Sequence, residues 1–437
     1  MGGCVRDLLL GRQPTDYDVS TDATPPEVMR IFPETFAVGA QFGVVLVPLK
    51  SLGMEPIAEP EGYGGVHPTA IEVATFRSDG AYTDGRHPDS VRFSRDAEHD
   101  VQRRDFTING LMMDPLDGDR VIDHVGGRAD LEAGVIRTIG EPARRFTEDK
   151  LRMLRAVRFA ARFGYRIEAG TEAAIERMAH GVGQVSNERV RDELTKMLTE
   201  GHAREAFLRL DASGLLREVL PEVVKLKGVA QPPQYHPEGD VWVHTLLLLS
   251  MLGSGARRTL AWGALLHDVG KPATYRVAPD RIRFDGHVEV GTRMSEAVCR
   301  RLRFSNDDTE QISALVANHL RFADVRKMKQ STFKRFVRMP RFEEHLELHR
   351  IDCLGSHGHL DLYEFTREKM AAMPEEEVRP RPLLTGDDLI AAGYRPGPHF
   401  TQILLEVEDA QLEGQLRDRA AALEFVRRKH SPEDRSD

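Results

Sequence analysis

Two sets of side chains in this sequence have the types and spacing to hold divalent cations. The first is Asp16-Tyr17-Asp18. If residues 17–20 form a strand, side-chain alternation projects both carboxylates from one face. Like charges so placed repel unless a cation sits between them, and hard oxygen ligands select Mg2+ or Mn2+. A turn or a helix N-cap is the other use of such a triplet. Upstream, Gly2-Gly3 precedes a predicted helix carrying Arg6. Free N–H groups, the helix dipole and a guanidinium fork can hold a phosphate there; a flexible terminus is the alternative.

The second set is His244, His267-Asp268 and Asp352. His267-Asp268 closes a predicted helix over 260–269, which Gly270-Lys271-Pro272 ends. His244 from an earlier helix and Asp352 from a later one can converge with them on one cation, with His287 and His319 as further candidate ligands. Histidines satisfied by core hydrogen bonds are the alternative. Lys271 suits either a phosphate contact or the dipole of a helix C-terminus.

These residues need elements to position them, and the pattern changes along the chain. Residues 1–125 mix strand-like runs, 42–49 and 69–76, with turns rich in Gly, Pro and Asp; 50–68 reads as an elaborated hairpin between them. Residues 126–230 become helical, with Leu151, Leu154, Val157 and Ala161 at helical spacing. A Pro-rich break at 231–237 opens a mostly helical histidine region, 231–370. Residues 373–382 read as a linker, and 383–430 as a tail of two helices separated by 393–398, a turn that either joins the helices or lays its backbone on RNA. The expected fold class is multidomain α+β: a small mixed sheet with helices, then all-α units.

Length and composition fit several domains of an ordinary globular protein. Of 437 residues, 41% are hydrophobic and 30% charged, with no apolar run long enough for a bilayer and no export segment. Cys4, Cys299 and Cys353 are far apart, which argues against a disulfide framework or zinc knuckle and for buried thiols. The net charge of −9 gives no global attraction to a polyanion. Locally, Arg and Lys outnumber acids nine to three over 137–166 and eight to one over 321–341. Such stripes suit a phosphate backbone or a solvated helical face.

Read as one helix, 145–162 sets Glu148, Arg152 and Arg155 on one face and Leu154, Val157 and Ala161 on the other, leaving the polar face open for binding. Glu72 is the single acid of an otherwise apolar strand, and an exposed strand face explains it equally.

Four ordered motifs together carry a resemblance: Gly2-Gly3-x-Val5-Arg6-Asp7, Asp16-x-Asp18, Arg103-Arg104-Asp105-Phe106-Thr107-Ile108-Asn109 and Glu148-Asp149-x-x-Arg152. They resemble class II CCA-adding enzymes and bacterial poly(A) polymerases, loosely over most of the chain. The resemblance implies a polymerase-β-like nucleotidyltransferase head with two Mg2+ ions on Asp16 and Asp18 and Glu72 as third carboxylate. It assigns the triphosphate and ribose to Arg104, Asp105 and Asn109, and the incoming base to Asp149 and Arg152 with Glu148 in support. It implies tRNA, ATP and CTP as partners, a cytoplasmic site of action without membrane contact, and a monomer by default. Residues 77–88 resemble the family's flexible loop, linked to the switch from C to A addition. The family also carries a helix and a strand ahead of its Gly-Gly, whereas this sequence starts at Met1, so the Asp16-Asp18 strand is expected to lack one neighbour. The H, HD, D order resembles HD-type metal phosphohydrolases, which take a transition metal or Mg2+ and would suit repair of RNA ends. A poly(A) polymerase, or an HD phosphohydrolase with a non-catalytic RNA-binding head, are the alternatives.

Overall fold

The computed structural model describes residues 1–14, 16–37, 40–53, 70–80 and 89–430. The hairpin expected over 50–68 and the loop over 77–88 fall largely outside these residues. Helix α1 (Gly3–Leu9) leads to strand β1 (Asp18–Thr21), helix α2 (Pro25–Ile31), then β2 (Val44–Pro48) and β3 (Ala70–Thr75). The three strands form one sheet in the order β1-β3-β2, with β1 parallel and β2 antiparallel to β3. Alternation decides its faces: Val45, Val47 and Val73 turn towards Val28 of α2 and are buried with it. Asp18 is the first residue of β1 and pairs in register with Glu72. The expected strand over 17–20 thus starts one residue later, and Asp16 lies ahead of it.

Next come the ladder β4 (Arg77–Asp79) with β5 (Val91–Phe93), helix α3 (Ala97–Gln102), and the hairpin β6 (Met112–Asp114) with β7 (Arg120–Ile122). Helix α4 (Gly127–Ala133) and strand β8 (Val135–Ile136) follow. The helical part holds α5 (Pro142–Glu148), α6 (Leu151–Phe163), strand β9 (Arg166–Ile167), α7 (Ala169–Met178), α8 (Asn187–Thr199), α9 (Ala203–Ala212), α10 (Leu215–Val219) and α11 (Pro221–Val224). The single helix expected over 145–162 is therefore two. Asp149 is extended, with φ −150° and ψ 106°, and its carboxylate accepts from the N–H of Leu151 at the start of α6. A side-chain cap has replaced a helical hydrogen bond there.

The histidine region comprises α12 (Val241–Met251), α13 (Arg258–Leu266), α14 (Lys271–Thr274), α15 (His287–Arg301), α16 (Asn306–Asn318), α17 (Gln330–Val337), α18 (Phe342–Leu354) and α19 (Asp361–Ala371). The expected linker contains a short helix, α20 (Glu375–Val378), and the tail is α21 (Gly386–Ala391), α22 (His399–Leu412) and α23 (Arg419–Lys429). One continuous hydrophobic core runs from Cys4 and Val5 of α1 through α6, α8 and α9 to Leu248, Leu265 and Ile351. The tail has its own core around Leu389, Ile403, Val407 and Val426. All three cysteines are buried and free.

Neither basic stripe is an open phosphate track. Arg335 reaches Glu408 at 2.8 Å and also Asp409, and Arg338 reaches Glu408 at 2.6 Å, so this charge fastens α17 to α22. Over 137–166, Arg145 and Arg152 meet Glu148, Arg155 meets Asp105, and Arg158 meets Glu193. The polar face of α6 is likewise occupied, and Arg152 and Arg158 are buried.

Gly270 shows how tightly the histidine region closes. A Cβ there would lie 2.2 Å from the carbonyl oxygen of His287 and 2.6 Å from the nitrogen of Gly291, both backbone atoms of α15 that cannot swing aside. Gly270→Ala is therefore expected to destabilise the chain by about 1–3 kcal/mol through overpacking. A thermal midpoint equal to that of the parent would refute this.

Candidate functional site

At the head, parallel pairing of β1 with β3 sets Asp18 beside Glu72 at the edge of the sheet. Burial raises the pKa of Asp18, and Asp16 raises it further. Glu72 is raised by burial, then by Asp18 and Asp16. The structure therefore gathers the three carboxylates tightly enough to repel one another. Among the described residues, no Arg or Lys forms an ion pair with Asp16, Asp18 or Glu72. Such a set fits a hard divalent cation.

Beside it, Gly2 caps α1 with φ 71°, and a Cβ there would come 3.0 Å from a guanidinium nitrogen of Arg104. Arg104 in turn reaches Asp100 at 3.2 Å. Arg6 lies buried over the rings of Phe159 and Phe163 and donates to Asn109 Oδ1 at 2.6 Å. Asn109 donates to Asp105 Oδ1 at 3.0 Å, and the other oxygen of Asp105 takes the Arg155 fork at 2.8 and 2.7 Å. Burial alone would raise the Asp105 pKa, but Arg155 and Asn109 overcome it and hold the carboxyl at about 2. Asp105 accepts from the N–H of its neighbour Phe106, so it braces the turn Thr107–Asn109, whose capping residue is Phe106.

Around the break between α5 and α6, Glu148 gathers Arg145 and Arg152, each at 3.0 Å. Arg152 also donates to the carbonyls of Arg145 and Arg103, at 3.2 and 3.0 Å. Asp149 is gripped by both arms of Arg189 from α8, at 3.1 and 2.7 Å. Arg189 and the buried Glu193, one turn apart on α8, escaped the sequence reading. Their signal was a charged i, i+4 pair placed against the apolar stripe of Val190, Leu194 and Met197.

In the histidine region, all six expected residues meet. His244 of α12 places Nε2 3.1 Å from Asp352 Oδ1 of α18 and 3.2 Å from His267 Nε2. His267 Nε2 lies 3.1 Å from Asp268 Oδ2, while His287 and His319 approach Asp268 Oδ1. The Nδ1 atoms of His267, His287 and His319 lie 2.9, 2.8 and 2.7 Å from the carbonyls of Ala264, Phe284 and Val316. A carbonyl can only accept, so each Nδ1 carries the proton and each Nε2 presents a lone pair inwards. That is the orientation of metal-ligating imidazoles. His244 Nδ1 faces Glu238 Oε1 at 2.8 Å, an acid the sequence reading passed over because it lies in the Pro-rich break. Burial would lower the pKa of His244, but Asp352 and Glu238 raise it to about 10, and Asp268 is held well below the carboxylate range by His267 and Lys271 despite its burial. Lys271 is buried, 2.7 Å from both Asp268 and Gln231 Oε1. It starts α14 rather than ending α13, so the dipole of a preceding helix does not explain it.

An α+β head of nucleotidyltransferase type, joined to a helical unit with an HD core, is the class that fold and site define. Residues 1–137 match the family described as Poly A polymerase head domain, 164–226 that described as Probable RNA and SrmB- binding site of polymerase A, and 240–354 the HD domain. A CCA-adding enzyme of Geobacillus thermodenitrificans is 44% identical over 216 residues, 49% of this chain and 48% of that protein. The chain thus matches about half the length of this relative. An A-adding tRNA nucleotidyltransferase of Deinococcus radiodurans is 32% identical over 98% of this chain and 94% of its own. The crystal structure of the Bacillus stearothermophilus CCA-adding enzyme in complex with CTP superposes with TM-score 0.68 at 28% identity, covering 98% of this chain and 93% of that one. The chain belongs to the tRNA nucleotidyltransferase family that contains the CCA-adding and A-adding enzymes.

The Asp105 charge carries a pH dependence. A carboxyl depressed from 3.8 to about 2 on folding stabilises the native state above its unfolded pKa, by roughly 2 kcal/mol, and loses that contribution as pH falls towards 2. Asp105→Asn should be less stable than the parent at pH 6, with the difference closing by pH 2. Urea denaturation at both pH values measures it, and a gap that stays constant with pH would contradict the assignment.

Proposed function

We propose that this chain is a template-independent RNA nucleotidyltransferase that adds C and A, from CTP and ATP, to the 3′ end of tRNA in the cytoplasm. The observation that carries the reading is the convergence of Asp16, Asp18 and Glu72, whose mutual repulsion leaves them in need of cations. Two Mg2+ ions on Asp16 and Asp18 would activate the RNA 3′-hydroxyl and neutralise the leaving pyrophosphate. The chain's own residues position the rest. Arg104 and Asn109, with Asp105 braced by Arg155, hold the triphosphate and the ribose, beside Gly2, Gly3 and Arg6. Asp149 and Arg152 present hydrogen-bonding edges to the base, and both are already locked, one by Arg189 and the other by Glu148 and two carbonyls. Such preorganised donors and acceptors reject a base of the wrong polarity.

We take residues 1–125 as the head, 126–230 as the neck and RNA-binding body, 231–370 as the HD unit and 383–430 as the tail. In the HD unit, His244, His267, Asp268 and Asp352 would hold one divalent cation that supports hydrolysis of phosphates at RNA ends. The cation would replace the charge that a proton on His244 now supplies. Addition of A alone is the second reading, favoured by the A-adding relative matched along nearly its whole length.

Transcripts of tRNA lacking A, CA or CCA, incubated with CTP and ATP separately and together, distinguish the readings. Two C residues followed by one A are expected. Incorporation of a single A onto CC-ending tRNA alone selects the second reading, long A tracts select poly(A) synthesis, and no incorporation overturns all three. The Asp16→Ala, Asp18→Ala double variant should lose incorporation to below detection while still binding tRNA. Elongation at the parent's rate would overturn the metal assignment.

A further inference from the structure

The histidine region offers more inward-facing ligands than one ion uses. Asp268 stands between two groups of imidazoles, and its two carboxylate oxygens divide between them. Oδ2 faces His267 Nε2 at 3.1 Å and His244 Nε2 at 3.9 Å, on the side where Asp352 also meets His244. Oδ1 faces the opposite way, 3.8 Å from His287 Nε2 and 3.9 Å from His319 Nε2.

Those two nitrogens carry the inference. Both are buried without a hydrogen-bond partner, although each ring's Nδ1 is bonded to the carbonyl of the third residue before it. His287 and His319 are themselves 9% and 4% exposed, so solvent does not satisfy them. An unpaired buried acceptor costs on the order of 1–3 kcal/mol. Here two of them aim at one carboxylate oxygen, an arrangement of three acceptors that supplies no donor of its own.

We propose that His287, His319 and Asp268 Oδ1 hold a second divalent transition-metal ion, bridged through the Asp268 carboxylate to the ion on His244, His267, Asp268 and Asp352. The proposal rests on the reading that the latter set binds metal. Separations of 3.8 and 3.9 Å are close to the ligand-to-ligand edge, on the order of 3.4 Å, that follows from metal–nitrogen bonds of about 2.1 Å. Two imidazoles and one carboxylate oxygen select borderline ions such as Co2+, Ni2+ or Zn2+ over Mg2+, which prefers oxygen. The nearby trio of His236, Glu238 and His244 is not a third centre. Glu238 there lies between the Nδ1 atoms of both rings, at 2.9 and 2.8 Å, and so orients His244 from behind. A pair of ions bridged by a carboxylate suits hydrolysis of a phosphate ester, where both attacking and leaving oxygens need stabilising.

Titration of the metal-stripped full chain with Co2+, followed by visible absorption and electron paramagnetic resonance, tests this. Asp16→Asn and Asp18→Asn substitutions in the head keep that site from contributing. Two equivalents with nitrogen-ligated spectra and magnetic coupling between them are expected. Adding His287→Ala and His319→Ala should leave one uncoupled equivalent, with circular dichroism unchanged; His319→Gln serves as the milder variant. One equivalent in the parent, as when a trapped water donates to both nitrogens, would overturn the bridged pair and leave the first site standing. No binding would overturn both, and two equivalents surviving the histidine substitutions would overturn the second site alone.

Discussion

Compensation of buried negative charge is the constraint from which the rest of this structure follows. Taking a carboxylate out of water is costly unless a positive group meets it. In the neck, that group is an arginine from another helix: Arg155 for Asp105, Arg158 for Glu193, Arg189 for Asp149. The pKa of Asp105 falls accordingly. At the sheet edge the same need goes unmet by protein, and Asp18 and Glu72 rise. The contrast in direction separates carboxylates that hold the fold together from carboxylates that await a ligand.

The arginine pairs also explain how a small head is kept in place. Its three-stranded sheet buries a modest apolar group of its own, around Val28, Val45, Val47 and Val73. Much of its order comes instead from α1 and the turn Thr107–Asn109, whose Val5, Phe106 and Ile108 enter the core shared with α6. Each large side chain fully buried there contributes about 1.5–3 kcal/mol. Asp105, Asn109, Arg6 and Arg155 lie over this core, so the residues offered to a nucleotide stand on packed elements rather than on loops. That rigidity comes at the expense of the basic stripes, whose charge is largely consumed inside the protein.

What the sequence disclosed depended on the range of the interaction. Strands β2 and β3 were legible because alternation is local, and the tail helices because residues 393–398 can only interrupt them. The ordered histidines were legible too, since three of them bond the carbonyl three residues back, a contact within one turn. The register of Asp18 against Glu72 was not, because it pairs residues from distant parts of the chain. The break at Asp149 was hidden for the same reason. Residues 145–162 contain neither Gly nor Pro, and a long-range pair with Arg189 helps fix the extended residue. Open stripes of arginine were misread because their acidic partners, such as Glu193 and Glu408, lie outside the window in which charge was counted.

The two candidate metal centres differ in ligand chemistry, and the difference has a consequence for selectivity. The head offers oxygen alone, in a half-exposed edge that suits a strongly hydrated ion which keeps part of its water. The helical centre offers imidazole nitrogens whose tautomers are fixed by backbone carbonyls, deep in a shared core. Affinity for nitrogen rises across the divalent transition series, whereas oxygen sites distinguish those ions far less. One chain exposed to a mixed pool of cations can thus fill the two centres differently, with Mg2+ winning by abundance at the carboxylates and a scarcer metal winning by affinity at the histidines.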